Sequence, residues 1–253
     1  GLPVLVSRMA GCCEDLVAEG VNGYRFDPAD EDYDILLDDF EPGMKTAEVR
    51  EIFGSLRPKQ VELIKKISSA KQVKDDFLHR KYNEKKMWDF SEVIIKRFGY
   101  DFSRGRQDKA PHPFETSFSV NDVRITTRFE QENPLATLFS TMHESGHAMY
   151  EQGVNPAYER TSLASGTSLA VHESQSRMWE NLVGRSRPFW KFFYPQLQAA
   201  FPDAFKKVEM ETFYRAINKV VPSLIRTEAD EVTYNLHVML RFDLELDLLD
   251  GTL

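Results

Sequence analysis

The run LATLFSTMHESGHAMYEQG, Leu135 to Gly153, decides how the rest of the chain is read. Leu138, Phe139, Met142 and Met149 form an apolar stripe at helical spacing, so the run reads as a helix with one buried side. His143 and His147 stand four apart, close to one helical turn, and project from the same face. Two imidazoles so placed can share one metal ion through nitrogens at about 2.0–2.1 Å. Glu144, between them, is set to take a proton from a water at such an ion rather than to ligate it. Gly146 leaves the helix surface bare and permits a neighbour to pack closely.

A site of this kind needs a third protein ligand and an open position for water. Glu173, 26 residues beyond His147, lies on the next predicted helix in His172-Glu173-Ser174-Gln175. An antiparallel return brings it beside the histidines. A solvated helix glutamate is the commoner fate of a single Glu, and spacing leaves the two readings level. His172 is the rival ligand, although a supporting or core role is commoner for such a histidine.

Outward from this helix the pattern is mostly helical. Thr46 is placed to cap a helix beginning Ala47-Glu48-Val49, Pro58 restarts a helix, and another spans Asn83 to Phe98, closed by Gly99. Pro111 and Pro113 break the helices. Thr116–Val120 and Val123–Phe129 alternate and are β-branched about Asn121-Asp122, which predicts a hairpin. Further helices are predicted at Ser168 to Val183, Pro188 to Ala200, Pro202 to Asn218 and Thr227 to Leu249. The fold class is mainly α, a helical metallopeptidase core with a small β-hairpin near the site.

The composition, 42% hydrophobic and 28% charged over 253 residues, is that of a globular chain able to bury a core without staples. A net charge of −8 argues against a general nucleic-acid binder. No run of about 18 apolar residues is present, which predicts no membrane-spanning helix. Cys12 and Cys13, adjacent and the only cysteines, cannot build a disulfide framework and fit a reduced, cytoplasmic compartment.

With these residues in view the sequence resembles the carboxypeptidase Taq family of metallocarboxypeptidases. His143-Glu144-Ser145-Gly146-His147 and His172-Glu173-Ser174-Gln175 match its two metal-site elements. His112-Pro113-Phe114 matches its His-Pro-Phe element and Asp122-Val123-Arg124-Ile125-Thr126 its Asp-x-Arg-x-Thr element. Ile225-Arg226-Thr227-Glu228-Ala229-Asp230 matches its Ile-Arg-x-x-Ala-Asp element. The similarity covers about residues 32–253, beginning near Tyr33, and less than half of a family member, and it defines a partial catalytic domain at 31–253. The Gly-x-x-Gln-Asp-x-His-Trp element and most of the family's N-terminal helices have no counterpart.

The resemblance implies metal ligands at His143, His147 and Glu173, with Glu144 as general base. It also implies a groove for peptides with a free C-terminus and, often, a homodimer. Arginine's fork suits a terminal carboxylate, which makes Arg226 the first candidate for substrate binding and Arg124 the second. His112 could hydrogen-bond the substrate or the developing oxyanion. Each of the three could equally be fixing local structure. Two His and one Glu suit zinc, and cobalt or manganese would also fit.

The start of the chain reads differently. Pro3-Val4-Leu5-Val6-Ser7 suits a buried strand, Glu14 to Ala18 a short helix, and Gly20 and Gly23 punctuate an α/β pattern within residues 1–30. Together with Gly20-Val21-Asn22-Gly23-Tyr24-Arg25-Phe26-Asp27-Pro28 it resembles part of a two-Rossmann-domain glycosyltransferase, where Glu14 would help hold a nucleotide-sugar donor. So short a stretch cannot bury a donor, and a chain spliced from two sources is the preferred reading. The readings to separate are a metallocarboxypeptidase, a metallo-endopeptidase with the same metal triad, a glycosyltransferase fragment, and an inactive remnant.

Overall fold

The computed structural model describes residues 4–7, 23–26, 33–130 and 133–253. The helix expected at Glu14–Ala18, with Cys12 and Cys13, lies outside the described residues. In chain order the elements begin with strands β1 (Val4–Ser7) and β2 (Gly23–Phe26) and helices α1 (Tyr33–Phe40), α2 (Thr46–Ser69) and α3 (Glu84–Phe98). Strands β3 (Gln107–Lys109), β4 (Glu115–Ser119) and β5 (Asp122–Thr127) follow, then helices α4 (Pro134–Gln152) and α5 (Leu169–Arg177). A π-helical turn (Met178–Val183) leads to α6 (Arg187–Ala200), α7 (Pro202–Phe205), α8 (Met210–Ile217) and α9 (Tyr234–Leu249). The chain is thus mainly helical with little sheet, as its periodicity predicts. It divides into two compact units, Gly1–Ala70 with Val220–Leu253, and Lys71–Lys219.

In the first unit β1 and β2 pair in parallel, Val4 opposite Gly23 and Ser7 opposite Phe26. Helices α1, α2 and α9 share a small aromatic centre, with Tyr33 and Phe53 each edge-on to Phe242 at 5.5 and 5.3 Å. Tyr33 donates to Glu245 at 2.7 Å, and Arg57 to Asp243 at 2.6 Å. Thr46 is the first residue of α2 rather than its cap: both its N–H and its hydroxyl donate to Asp34 Oδ1 at 2.6 Å. Pro58 does not restart a helix but lies inside α2. Its ring forfeits one backbone hydrogen bond of that helix.

The second unit places the site. Asn83 caps α3 by accepting from the Lys86 N–H at 2.9 Å, and Gly99 ends it at φ +124°, a conformation glycine adopts without strain. The predicted hairpin is present as β4 and β5, antiparallel, but β5 also pairs in parallel with β3, giving the order β3-β5-β4. Only three residues form β3, too few for a periodic signal. Central β5 turns Val123, Ile125 and Thr127 into the interior. Ile95 of α3, Val123 and Ile125 of β5 and Ala148 of α4 close one core with Tyr100, whose hydroxyl donates to the Val123 carbonyl at 2.8 Å.

Polar groups also join sheet to helix. Gln107 Nε2 donates to Thr127 Oγ1 at 2.8 Å, Thr127 meets Thr141 Oγ1 at 3.0 Å, and Thr141 donates back to the Thr137 carbonyl at 2.9 Å. A larger, mostly aromatic core lies where α3 and α4 meet α6, α7 and α8. The single helix expected over Pro202 to Asn218 is two, because the chain folds over between α7 and α8 to bury Phe205 and Phe213 together.

Candidate metal centre

Helix α4 is buried on several sides, and each side does something different. Leu138 and Met142 enter the aromatic core, Thr141 and Ala148 face the sheet and α3, and His143, His147 and Glu151 share a further stripe at four-residue intervals. Asn133 caps the helix at the Ala136 N–H, 3.4 Å away. Ser168 caps helix α5, its hydroxyl accepting from the Val171 N–H at 3.2 Å.

Gly146 sets how closely α5 approaches. A Cβ at this position would stand 2.7 Å from the Ser176 Cα and 2.9 Å from the Gln175 carbonyl, both rigid backbone. The bare helix surface therefore lets α5 lie directly on α4, which is what brings Glu173 within reach of the histidines.

His143 Nε2 and His147 Nε2 are 3.3 Å apart, and Glu173 Oε2 lies 3.5 Å from the first and 3.4 Å from the second. These are longer than good hydrogen bonds. They match the separation, about 3.4 Å, between ligand atoms each about 2.0–2.1 Å from a shared tetrahedral centre. Among the described residues, His143, His147 and Glu173 form the one group of three with this convergence. The donor set of two imidazoles and a carboxylate fits a divalent ion.

The surrounding charges favour a cation. Burial works against protonating His143, but the carboxylates of Glu173 and Glu180 beside it outweigh burial and lift its pKa to about 9. Burial, and the neighbouring charge of His143, push His147 down instead. Glu173 is held far below the usual carboxylate range: burial opposes this, but the two imidazoles and Arg177 prevail. Glu144 is almost fully buried, and loss of water raises its pKa to about 7. A carboxyl poised there can exchange a proton near neutrality.

The ligand candidates are themselves held. His143 Nδ1 meets Glu180 Oε2 at 2.9 Å, and Arg177 bridges Glu173 and Glu180 at 2.8 and 3.3 Å. Glu180 reaches this position from the π-helical turn, a widened turn that shifts the side chains following α5. His147 Nδ1 is 2.9 Å from His172 Nδ1, and His172 Nε2 is 2.6 Å from Glu151 Oε1. His172 thus stands behind His147, on its Nδ1 side, and is not among the three residues whose donor atoms converge. Glu115, on edge strand β4, has one carboxyl oxygen buried without a hydrogen-bond partner. Burial, with repulsion from Glu151, raises its pKa to about 7.

Sequence reasoning did not find Glu180, Glu151 or Glu115. Spacing carried a signal for two of them: Glu151 continues the stripe of His143 and His147, and Glu180 stands seven residues after Glu173, two helical turns on. Glu115 gave none, because its position depends on pairing across the sheet.

The substrate-binding candidates are placed differently. Arg124 on β5 spends its fork on Asp122, at 2.7 and 2.8 Å, and stands over the Phe118 ring. Arg226 belongs to the first unit, where it donates to the Tyr234 hydroxyl at 2.6 Å. His112 is exposed. Its carbonyl accepts from Thr126, and Thr126 Oγ1 accepts from the Phe114 N–H at 2.9 Å, so the His-Pro-Phe and Asp-x-Arg-x-Thr elements are stitched together.

Comparison with known proteins gives a consistent answer. The model of the carboxypeptidase Taq (M32) metallopeptidase family matches residues 16–253. The chain is 45% identical over 227 residues to thermostable carboxypeptidase 1 of Thermus thermophilus, covering 89% of this chain and 44% of the relative. It is 39% identical over 224 residues to carboxypeptidase 1 of Bacillus subtilis, again covering 44% of the relative. The crystal structure of an M32 carboxypeptidase from Deinococcus radiodurans superposes with a TM-score of 0.85 at 47% identity, over 87% of this chain and 44% of that one. The chain therefore spans about 44% of the length of the curated relatives it matches.

Proposed function

This chain belongs to the carboxypeptidase Taq (M32) metallopeptidase family, and on that premise we propose that it carries the catalytic centre of a metallocarboxypeptidase. In this reading His143, His147 and Glu173 hold one divalent ion, zinc first, with cobalt or manganese suited to the same donors. The convergence of the three donor atoms at 3.3–3.5 Å carries the reading. When bound, such an ion supplies Lewis-acid polarisation of a carbonyl and acidifies a water.

The protein's own groups do the rest. His143 and His147 keep their Nε2 atoms turned inward, and Glu180 anchors the first ring from behind. Glu144, buried and near neutral pKa, takes the proton of the attacking water and returns it to the leaving amine. Edge strand β4 offers unpaired backbone groups along which an extended peptide can lie. The substrates are peptides with a free C-terminus, and Arg226, Arg124 and His112 are the candidates for binding that end. To do so Arg124 would have to release Asp122, and Arg226 the Tyr234 hydroxyl. We propose a cytoplasmic protein with no membrane or nucleic-acid partner, and a homodimer as the family resemblance implies for full-length members. None of the described helices is long and apolar enough to cross a membrane.

Residues 1–30 are proposed to be a separate α/β element of glycosyltransferase-like sequence. The parallel pairing of β1 with β2 supports it. The proposed boundary is at residues 30–31, and the family match, which begins at residue 16, overlaps the second half of this stretch.

Metal content tests the central proposal. Purified wild type should hold about one equivalent of zinc, and His143→Ala and Glu173→Ala should hold almost none. Retention of metal by Glu173→Ala would remove the third ligand. Peptides with free and amidated C-termini separate the activities, because equal cleavage of both makes the protein an endopeptidase.

A further inference from the structure

We infer that His172 and Glu151 form a positioning relay that sets the tautomer of His147, leaving its Nε2 lone pair free for a metal ion. The inference rests on the metal-centre reading above and extends it to residues outside the ligand triangle.

A neutral imidazole carries a single N–H, so a ring that ligates through Nε2 must hold its proton on Nδ1. His147 Nδ1 faces His172 Nδ1 at 2.9 Å, a distance at which one nitrogen donates and the other accepts. With the proton on His147 Nδ1, His172 Nδ1 is the acceptor, and the single proton of His172 lies on Nε2. That atom faces Glu151 Oε1 at 2.6 Å, where a carboxylate accepts. Every donor along the line then has an acceptor, and the arrangement is the one that frees His147 Nε2. Reversing the protons would put a hydrogen on His147 Nε2, aimed at the centre of the triangle.

The surroundings hold the line in place. Glu151 Oε1 also accepts the Gly166 N–H at 2.8 Å, and the side chain is only 5% exposed. A Cβ on Gly166 would stand 2.6 Å from the His172 ring, so a glycine is what lets this loop reach Glu151. The Tyr150 ring packs edge-on against His172 at 4.9 Å, and its hydroxyl accepts the Thr167 N–H at 3.0 Å, which pins the ring from the other side. His143 needs no such line, because Glu180 contacts its Nδ1 directly. Partners of this kind, orienting a ligating histidine, are worth about 10–100-fold in metal affinity.

The test is zinc affinity of the 253-residue chain, measured by competition with a chelator, for wild type, His172→Leu, His172→Gln and Glu151→Leu. His172→Leu and Glu151→Leu should bind zinc about 10–100-fold more weakly than wild type. His172→Gln should recover most of the loss, since its amide oxygen accepts from His147 and its amide nitrogen donates to Glu151. Leucine and glutamine fill similar space, so a packing defect would weaken both variants alike. Equal weakness of the two, or wild-type affinity in His172→Leu, overturns the relay. Zinc-loaded wild type should also show a hydrogen-bonded Nδ1 proton of His147 by NMR, and its absence overturns the relay as well. If wild type itself takes up no zinc, it is the metal-centre reading that fails.

Discussion

Helices α4 and α5, and the cluster formed by α6, α7 and α8, lie in the same compact unit and are packed by opposite rules. The cluster is nearly all ring: Phe213 touches Trp190, Tyr194 and Phe205 at centroid distances of 4.6, 4.7 and 5.6 Å, and all four are almost fully buried. Its contribution is area removed from water plus ring geometry. The interface of α4 with α5 instead brings together His143, His147, Glu173 and Glu180, with the Glu151–His172 pair behind them and Glu144 buried on the same helix. Burying such groups costs free energy that their mutual hydrogen bonds only offset. One region holds the unit together. The other uses that stability to keep charged groups close and poorly hydrated.

Four substitutions test this division, taken from the largest expected effect to the smallest. Glu144→Gln should lower turnover about 10²–10⁴-fold while zinc content stays at the wild-type level, since the residue acts on protons and not on the metal. Turnover of a C-terminal peptide bond, measured beside metal content, checks both halves. Phe213→Ala should cost about 3–5 kcal/mol in denaturant unfolding, through lost area and the cavity left among the rings. The folded fraction should bind zinc as wild type does, and a large loss of affinity would mean that the two regions are not separable. Gly146→Ala should do some of each. Forcing the Ser176 backbone away should cost about 1–3 kcal/mol and weaken zinc binding, because Glu173 moves with α5.

The smallest effect concerns pH. Burial raises the Glu115 pKa from 4.5 to about 7, so the folded chain keeps a proton that the unfolded chain has released. Stability therefore falls as pH rises through that interval and levels off above about 7. Glu115→Gln should flatten that slope, leaving the variant about 1–2 kcal/mol more stable than wild type at pH 8, less than full burial would give because the carboxyl is partly screened. Thermal unfolding from pH 5 to pH 8.5 measures it, and parallel profiles for the two proteins would show that Glu115 is not the group responsible.

Helices with a strong apolar stripe and a cap were legible from sequence to within a residue or two, as α3 and α4 show. Elements set by long-range pairing were not. Strand β3 exists because β5 offers it a partner, the break between α7 and α8 exists because two phenylalanines share one core, and the π-helical turn follows α5 with no composition signal of its own. At the site, spacing named His143, Glu144 and His147 outright but left Glu173 level with a solvated glutamate. It ranked Arg226 and Arg124 by side-chain chemistry, without seeing that Arg124 already pairs with Asp122.

The sequence by itself determined which residues face the same way along one helix, because that follows from 3.6 residues per turn and needs no knowledge of what lies opposite. It therefore determined the histidine pair, the glutamate between them and the bare surface at Gly146. Tertiary structure alone decided what came to lie across that surface. Packing α5 against Gly146 brought Glu173 Oε2 to 3.5 and 3.4 Å from the two histidines, put Glu180 behind His143, and set His172 behind His147 instead of beside it. Those choices depend on distances of a few ångströms between segments far apart in the chain, which local periodicity does not encode.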